Sequence, residues 1–181
     1  MDVSVQERMV SFSSEYDIIT PAVNYYARKA ILAVNDRIEV TKEDGAVAAH
    51  IQGHFSPLRS KHDFTFADGR VFAFECEKMW TQVYKCEGAG ETYTLYVHRG
   101  LKFSIFKDDR QIAAFTKNLV VLGSGNCYEI RMDSDVDALL IVCMVITLNS
   151  AEFDEDKETV SVDFGNIGPQ GRKFDDSWEP R

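Results

Sequence analysis

Three acids at alternate positions precede the most apolar run of the chain. Asp133, Asp135 and Asp137 form an Asp-x-Asp-x-Asp pattern, and carboxylate oxygens are the ligands that calcium takes in proteins. The pattern lacks the next glycine and the distal glutamate of a helix-loop-helix calcium loop. The same acids suit the first turn of a helix, where they accept N–H groups and oppose the helix dipole. The sequence leaves capping and calcium open here, and calcium is the one cofactor that it suggests.

Three histidines offer the donors of a transition-metal site. His50 and His54 share one face of a predicted strand, and His62 follows the loop that contains Pro57. Gly53 lies between the first two and can introduce a bulge that separates their side chains. We therefore expect ordinary strand histidines and keep a metal enzyme as an alternative.

His98 and the pair Asp108 and Asp109 are the residues that could supply a general base and acids for hydrolysis. All three fall at predicted turns, where charge serves solubility. Residues 123–125 read Gly-Ser-Gly, which is not the spacing of a nucleophile elbow. We expect no enzyme, and a hydrolase or metal enzyme is the second alternative.

Six basic residues form the densest positive set in the middle of the chain. If the fold brings them to one rim, they could bind a lipid headgroup or an acidic partner. Otherwise they are dispersed surface charges. The set is Arg28, Lys29, Arg37, Arg59, Lys61 and Arg70.

Composition limits the class of protein. The chain has 181 residues, of which 45% are hydrophobic and 27% charged, and this suits one globular domain. The formal net charge of −9 argues against a nucleic-acid partner. Four isolated cysteines and a first segment unlike a secretory signal predict a cytoplasmic protein with reduced thiols.

Residues 24–132 alternate short β-branched and aromatic runs with turn dipeptides such as Asp44-Gly45 and Asp68-Gly69. This pattern is typical of antiparallel hairpins. Strands with one apolar face must pack into a sandwich or close into a barrel. The predicted strands cover residues 37–41, 47–54, 63–66, 70–77, 81–86, 92–98, 101–106, 111–116, 119–122 and 127–132.

Residues 138–148 are apolar on every side of a helix. At about 1.5 Å per residue this run spans only about 16 Å, too short to cross a membrane, so the sequence predicts no transmembrane span. A helix of this kind must be enclosed by protein. We assign it to residues 134–149, with core side chains Leu139, Leu140, Val142, Cys143, Met144 and Ile146.

The order of these elements resembles the tubby C-terminal-like fold, which tubby proteins, phospholipid scramblases and LURP-one-related proteins share. The matching pieces are residues 40–47, the turn at Asp68-Gly69, residues 111–117 and residues 128–130 before the helix. The resemblance covers residues 24–149. It implies a closed antiparallel barrel of about 10–12 strands around one central hydrophobic helix, with residues 1–23 as an N-terminal extension and residues 150–181 as an acidic tail.

The resemblance implies a non-enzymatic binding module for a protein partner or a membrane lipid surface. Tubby domains bind phosphoinositides through a basic cluster, for which this chain has no matching residues. The alternative is a scramblase-like, calcium-regulated, lipid-associated protein with calcium at the three aspartates. LURP-one-related proteins are the most similar in length.

The acidic tail contains apolar residues that allow two structures. It can add a strand to a sheet edge, within one chain or between two, or stay solvated. Its apolar residues are Phe153, Val160, Val162, Phe164, Phe174 and Trp178.

Overall fold

Twelve antiparallel strands close into a barrel around one helix in the computed structural model, which describes residues 1–10, 13–29, 37–54, 61–119, 125–155 and 170–181. A short 3₁₀ turn, Met79–Thr81, precedes the eighth strand. The elements are β1 (Asp2–Val10), β2 (Ser13–Ile19), β3 (Tyr25–Lys29), β4 (Arg37–Lys42), β5 (Val47–His54), β6 (Lys61–Phe66), β7 (Val71–Lys78), β8 (Val83–Gly88), β9 (Glu91–His98), β10 (Lys102–Lys107), β11 (Arg110–Leu119), β12 (Asn126–Met132) and α1 (Ala138–Glu155).

Each strand pairs with the next along the chain, and the ring closes where β1 pairs with β12. In that seam Asp2 lies opposite Arg131 and Gln6 opposite Cys127. Both β1 and β2 are therefore barrel strands, and the prediction that residues 1–23 form an extension is wrong. The barrel runs from Asp2 to Met132, which leaves none of its strands with an unpaired edge.

Alternation along the strands decides which side chains enter the barrel. In β7 the side chains of Phe72, Phe74 and Cys76 are buried, whereas Val71 is exposed, as the pattern predicts. The inward side chains of all twelve strands form one core with α1. The predicted fold class is confirmed.

The helix α1 occupies the interior. Every residue from Leu140 to Asn149 is buried, including five of the six predicted core side chains, and Leu139 packs against the core while partly exposed. The helix begins at Ala138, four residues later than predicted, and continues past Asn149 to Glu155. Within the described part of the chain, no helix has both the length and the apolar character needed to cross a membrane.

A buried polar cluster anchors the far half of α1 to the wall. Glu7 on β1 is 0% exposed, and its carboxylate accepts hydrogen bonds from the Ser14 hydroxyl, the Asn126 backbone and side-chain nitrogens, and Asn149 Nδ2, at 2.9–3.1 Å. Asn149 Oδ1 accepts the Tyr128 hydroxyl at 2.5 Å. Four donors satisfy the buried carboxylate. The cluster therefore fixes α1 against β1, β2 and β12.

We predict that Val142→Asp unfolds the protein or makes it insoluble. The change places an unpaired carboxylate in the core, which costs several kcal/mol, comparable with the stability of a domain. The matched change Val71→Asp lies at a side chain that is 52% exposed and should leave the melting temperature near that of the wild type. Thermal melts of both variants test this. A wild-type melt for Val142→Asp would contradict an enclosed helix.

Asn149→Leu should lower the free energy of unfolding by about 2–4 kcal/mol. The substitution leaves Glu7 short of one buried hydrogen bond and removes the acceptor of the Tyr128 hydroxyl. Asn118→Leu, on the exposed side of β11, is the matched control and should change it by less than about 0.5 kcal/mol. Urea unfolding measures both. Equal values would show that the cluster contributes no stability.

Candidate functional site

The acid nearest the helix caps it. Asp137 Oδ1 accepts hydrogen bonds from the backbone N–H groups of Leu139 and Leu140, at 3.0 and 3.3 Å. Its Oδ2 atom accepts one from Arg70 Nη1 at 2.7 Å. Arg70 also pairs with Asp68 at 2.7 Å, and the hydrogen bond that Arg70 donates to Asp137 is the largest cause of the raised pKa of Arg70. This cluster ties the start of α1 to the β6–β7 turn.

The other two acids of the predicted calcium site share Arg110 as a partner. Asp133 is buried, and its Oδ1 atom accepts the backbone N–H of Arg181 at 2.8 Å. Arg110 Nη2 lies 3.5 Å from Asp133 Oδ2 and 3.4 Å from Asp135 Oδ2. Across the described ranges, no group of three or more histidine, cysteine or acidic residues could hold a metal ion. In the described structure Asp133, Asp135 and Asp137 thus do not come together as a metal-binding group, and Asp137 caps the helix.

The three histidines do not converge. His50 and His54 are exposed on the outside of β5, where His54 Nε2 lies 2.7 Å from Asp63 Oδ2. His62 on β6 is buried and so faces the other way. The predicted alternative of a three-histidine metal site has no basis in this arrangement.

The residues of the predicted hydrolase alternative lie at opposite ends of the barrel. His98 ends β9 and Asp108 and Asp109 follow β10, which has six residues. At about 3.3 Å per residue the strand separates them by about 20 Å. Ser124 lies outside the described residues. These residues form no catalytic group.

The basic set divides between the two ends as well. Arg28, Lys29, Arg37 and Lys61 lie in β3, β4 and β6 on the half of the wall away from the start of α1. Arg70 lies at the other end, and Arg59 is outside the described residues. Arg28 pairs with Glu15 at 2.7 Å and Arg37 donates to Gln52 at 3.1 Å. The fold thus brings part of the predicted set to one side, but with partners.

A depression of about 280 Å³ lies on the outside of β1–β4. Its walls carry charges of both signs, and the side chain of Tyr26, 44% exposed, lies beside it. Arg8 and Arg28 pair with Asp17 and Glu15 respectively, each at 2.7 Å. The lining residues are Arg8, Glu15, Tyr16, Tyr26, Ala27, Arg28, Glu39 and Thr41. We call this region the β1–β4 face.

Aliphatic side chains are exposed next to the β1–β4 face. Ile19 ends β2 and is 60% exposed, and Val23 in the β2–β3 turn and Val47 at the start of β5 are exposed too. The β2–β3 and β4–β5 turns are adjacent, since the Glu43 N–H donates to the Asn24 carbonyl at 3.2 Å. The face and its border therefore combine paired charges, the exposed Tyr26 and exposed aliphatic residues, a mixture typical of protein contacts.

The end of the chain covers the opposite side of the barrel. Residues 170–181, here called the strap, cross the outside of β8–β10 and reach the β12–α1 connection, where the Ser134 N–H donates to the Arg181 carbonyl at 2.9 Å. The prediction that the tail adds a strand fails for these residues because the closed barrel offers them no edge. Phe174 contacts the barrel, whereas Val160, Val162 and Phe164 lie outside the described residues, and so does the side chain of Phe153.

The strap covers a histidine that is 1% exposed. The ring of Phe174 lies 5.1 Å from the ring of His98, and His98 Nε2 and Ser104 Oγ are 2.6 Å apart. Burial, with a smaller effect of the Arg172 charge, lowers the pKa of His98 to about 4. The ring is therefore neutral at pH 7 and packs as an aromatic side chain.

Two of the buried cysteines, Cys86 and Cys143, are held in the unreactive thiol form. All four are free, and Cys76, Cys86 and Cys143 are buried. Burial raises the pKa of Cys86 to about 12 and raises that of Cys143 as well, so both stay protonated and unreactive.

Comparison with known proteins found no matching family model, no matching curated protein and no matching solved structure.

Stability should fall as pH decreases from 6.5 towards 4, in part through His98. Its pKa in the folded chain is about 4 against an ordinary 6.5. As pH falls, the unfolded chain therefore takes up the proton first, and protonation stabilises the unfolded state relative to the folded state. Each pH unit in this window should cost up to about tenfold in the unfolding equilibrium.

His98→Asn removes that titration and can still hydrogen-bond Ser104. Urea midpoints of the variant should therefore decrease less between pH 7 and pH 4.5 than those of the wild type. Identical pH slopes in the two proteins would contradict a buried neutral histidine.

Proposed function

We propose that this chain is a non-enzymatic binding module, and that a protein partner docks on its β1–β4 face. The interior of the barrel is filled by α1, whose buried side chains join the inward side chains of the strands. A ligand must therefore meet the outer surface. The strap lies over β8–β10, whereas the β1–β4 face carries the depression beside Tyr26.

The observation that carries this proposal is the composition of that depression. Arg28 and Tyr26 are residue types that dominate binding energy at protein interfaces, because each buries a large area and keeps a polar end. Glu15 and Glu39 line the same depression. A depression that carries both positive and negative side chains is electrostatically complementary to a partner whose surface carries the opposite charge at each matching position.

Electrostatics favour a protein over an anionic membrane. Arg28 lies 2.7 Å from Glu15 and Arg8 lies 2.7 Å from Asp17, so the local positive charge is compensated. The whole chain has a formal charge of −9, which repels anionic lipid at long range.

The relation to known folds is part of the same proposal. The meander of antiparallel strands followed by one enclosed apolar helix supports a tubby C-terminal-like assignment, with LURP-one-related proteins as the nearest in length. A non-enzymatic role on the outside of the barrel agrees with that assignment.

A photo-reactive amino acid at Thr41, which lines the depression, should cross-link to one discrete protein in cells. The same probe at Thr65, exposed on β6, is the positional control. Exchanging an ion pair by Glu15→Arg with Arg28→Glu keeps net charge but inverts the charge pattern, and should lower adduct yield about tenfold, near 1.4 kcal/mol of binding.

The matched exchange Lys85→Glu with Glu87→Lys inverts another outer ion pair, 2.7 Å long on β8, and should leave the adduct unchanged. Sedimentation with phosphatidylcholine vesicles, with and without phosphatidylserine, is the second measurement, and the protein should stay in solution. Binding to the anionic vesicles that Arg28→Glu abolishes would overturn the choice of a protein partner.

A further inference from the structure

The strap fills a groove between two strands that are already fully paired. β9 pairs with β8 and β10, and β10 pairs with β9 and β11, so the barrel closes without it. The groove is the outward side of β9 and β10 and is formed by Tyr96, His98, Lys102, Ser104 and Phe106.

An arginine side chain enters the aromatic part of the groove. The Arg172 guanidinium carbon lies 3.9 Å from the centre of the Phe106 ring and 5.9 Å from that of Tyr96. The two rings are themselves edge-to-face with centres 5.5 Å apart. Stacking of a guanidinium on aromatic rings is attractive, and more so where water is excluded.

An aromatic and an acidic side chain follow at alternate positions. The Phe174 ring lies over His98, and Lys102 Nζ lies 5.0 Å from the centre of the Phe174 ring. The same Lys102 nitrogen pairs with Asp176 at 2.5 Å. Residues 172, 174 and 176 reach the groove from a strap that bends at residues 171–172 and turns at residues 175–178, where the Trp178 N–H donates to the Asp175 carbonyl at 3.3 Å.

The floor of the groove is suited to such a segment. His98 and Ser104 are each 1% exposed, and His98 Nδ1 makes no well-formed hydrogen bond within the described structure, although the Arg172 backbone lies close enough to raise the pKa of His98. The buried Nδ1 atom of His98 can therefore form a hydrogen bond with a backbone or side-chain group of a segment bound in the groove.

We propose that this groove is a peptide-binding site, and that the strap is its intramolecular occupant. Its external ligand is a segment of a partner protein that carries an arginine, an aromatic residue and an acid at alternate positions. The strap meets the groove through four ring contacts and one exposed ion pair, each of which is weak by itself. An external segment with the same three side chains competes with it by mass action.

The probe is a fluorescein-labelled synthetic peptide with the sequence of residues 170–181. In the full-length chain, Arg172→Ala with Phe174→Ala weakens the strap, so the peptide should bind this variant at least about tenfold more tightly than the wild type, whose strap occupies the groove. A peptide with the same two alanines should lose about tenfold in affinity, and so should the weakened chain when Phe106→Ala is added.

Asp176→Asn is the milder second variant, since it removes an ion pair whose acid is 76% exposed and leaves the core intact. It should raise peptide affinity about twofold to threefold. Fluorescence anisotropy gives the affinities, and circular dichroism and thermal melts establish the fold of each variant.

Two results would overturn the proposal. One is a folded weakened variant that binds neither peptide, or both equally. The other is a wild-type chain that is dimeric by light scattering without peptide and becomes monomeric with Arg172→Ala and Phe174→Ala, because the external occupant would then be a second copy.

Discussion

The fold depends on hiding an eleven-residue apolar run, Ala138–Leu148, from water. A helix satisfies its own backbone, but side chains that are apolar on every side require a wall on every side. Twelve strands supply that wall, each with its apolar face inward. Polar groups fix the helix at its start, where Asp137 meets Arg70, and again in its far half, where Asn149 meets Glu7.

Because α1 fills the interior of the barrel, a ligand can contact only the outer surface. Two parts of that surface differ in kind. The β1–β4 face joins opposite charges around Tyr26, whereas the groove on β9 and β10 is aromatic and already holds Arg172 and Phe174. A solvated polar face on one side and a covered aromatic groove on the other allow two separate contacts on one rigid scaffold.

Repeating patterns in the sequence predict most of the strands and the helix correctly. The prediction fails where an element's position depends on a contact between two residues that are distant in sequence. Period-two alternation and the apolar run suffice for the barrel and its helix. β1 escaped prediction because Glu7 occupies an inward position where the pattern expects an apolar side chain. The sequence predicts a helix end at Asn149 because the partners that bury its side chain, Glu7 and Tyr128, are distant in sequence. The strap contacts depend on which outer residues the closed ring exposes, and composition does not encode this.

The seam between β1 and β12 has a consequence for synthesis on the ribosome. Hairpins β1–β2 through β11–β12 join neighbours in sequence and can form as the chain emerges, but Val5 waits for Tyr128 until more than a hundred further residues have been translated. The apolar helix emerges later still, because it follows Met132. The sheet therefore stays open until β12 and α1 have been synthesised, and its closure is a late step between segments that are distant in sequence.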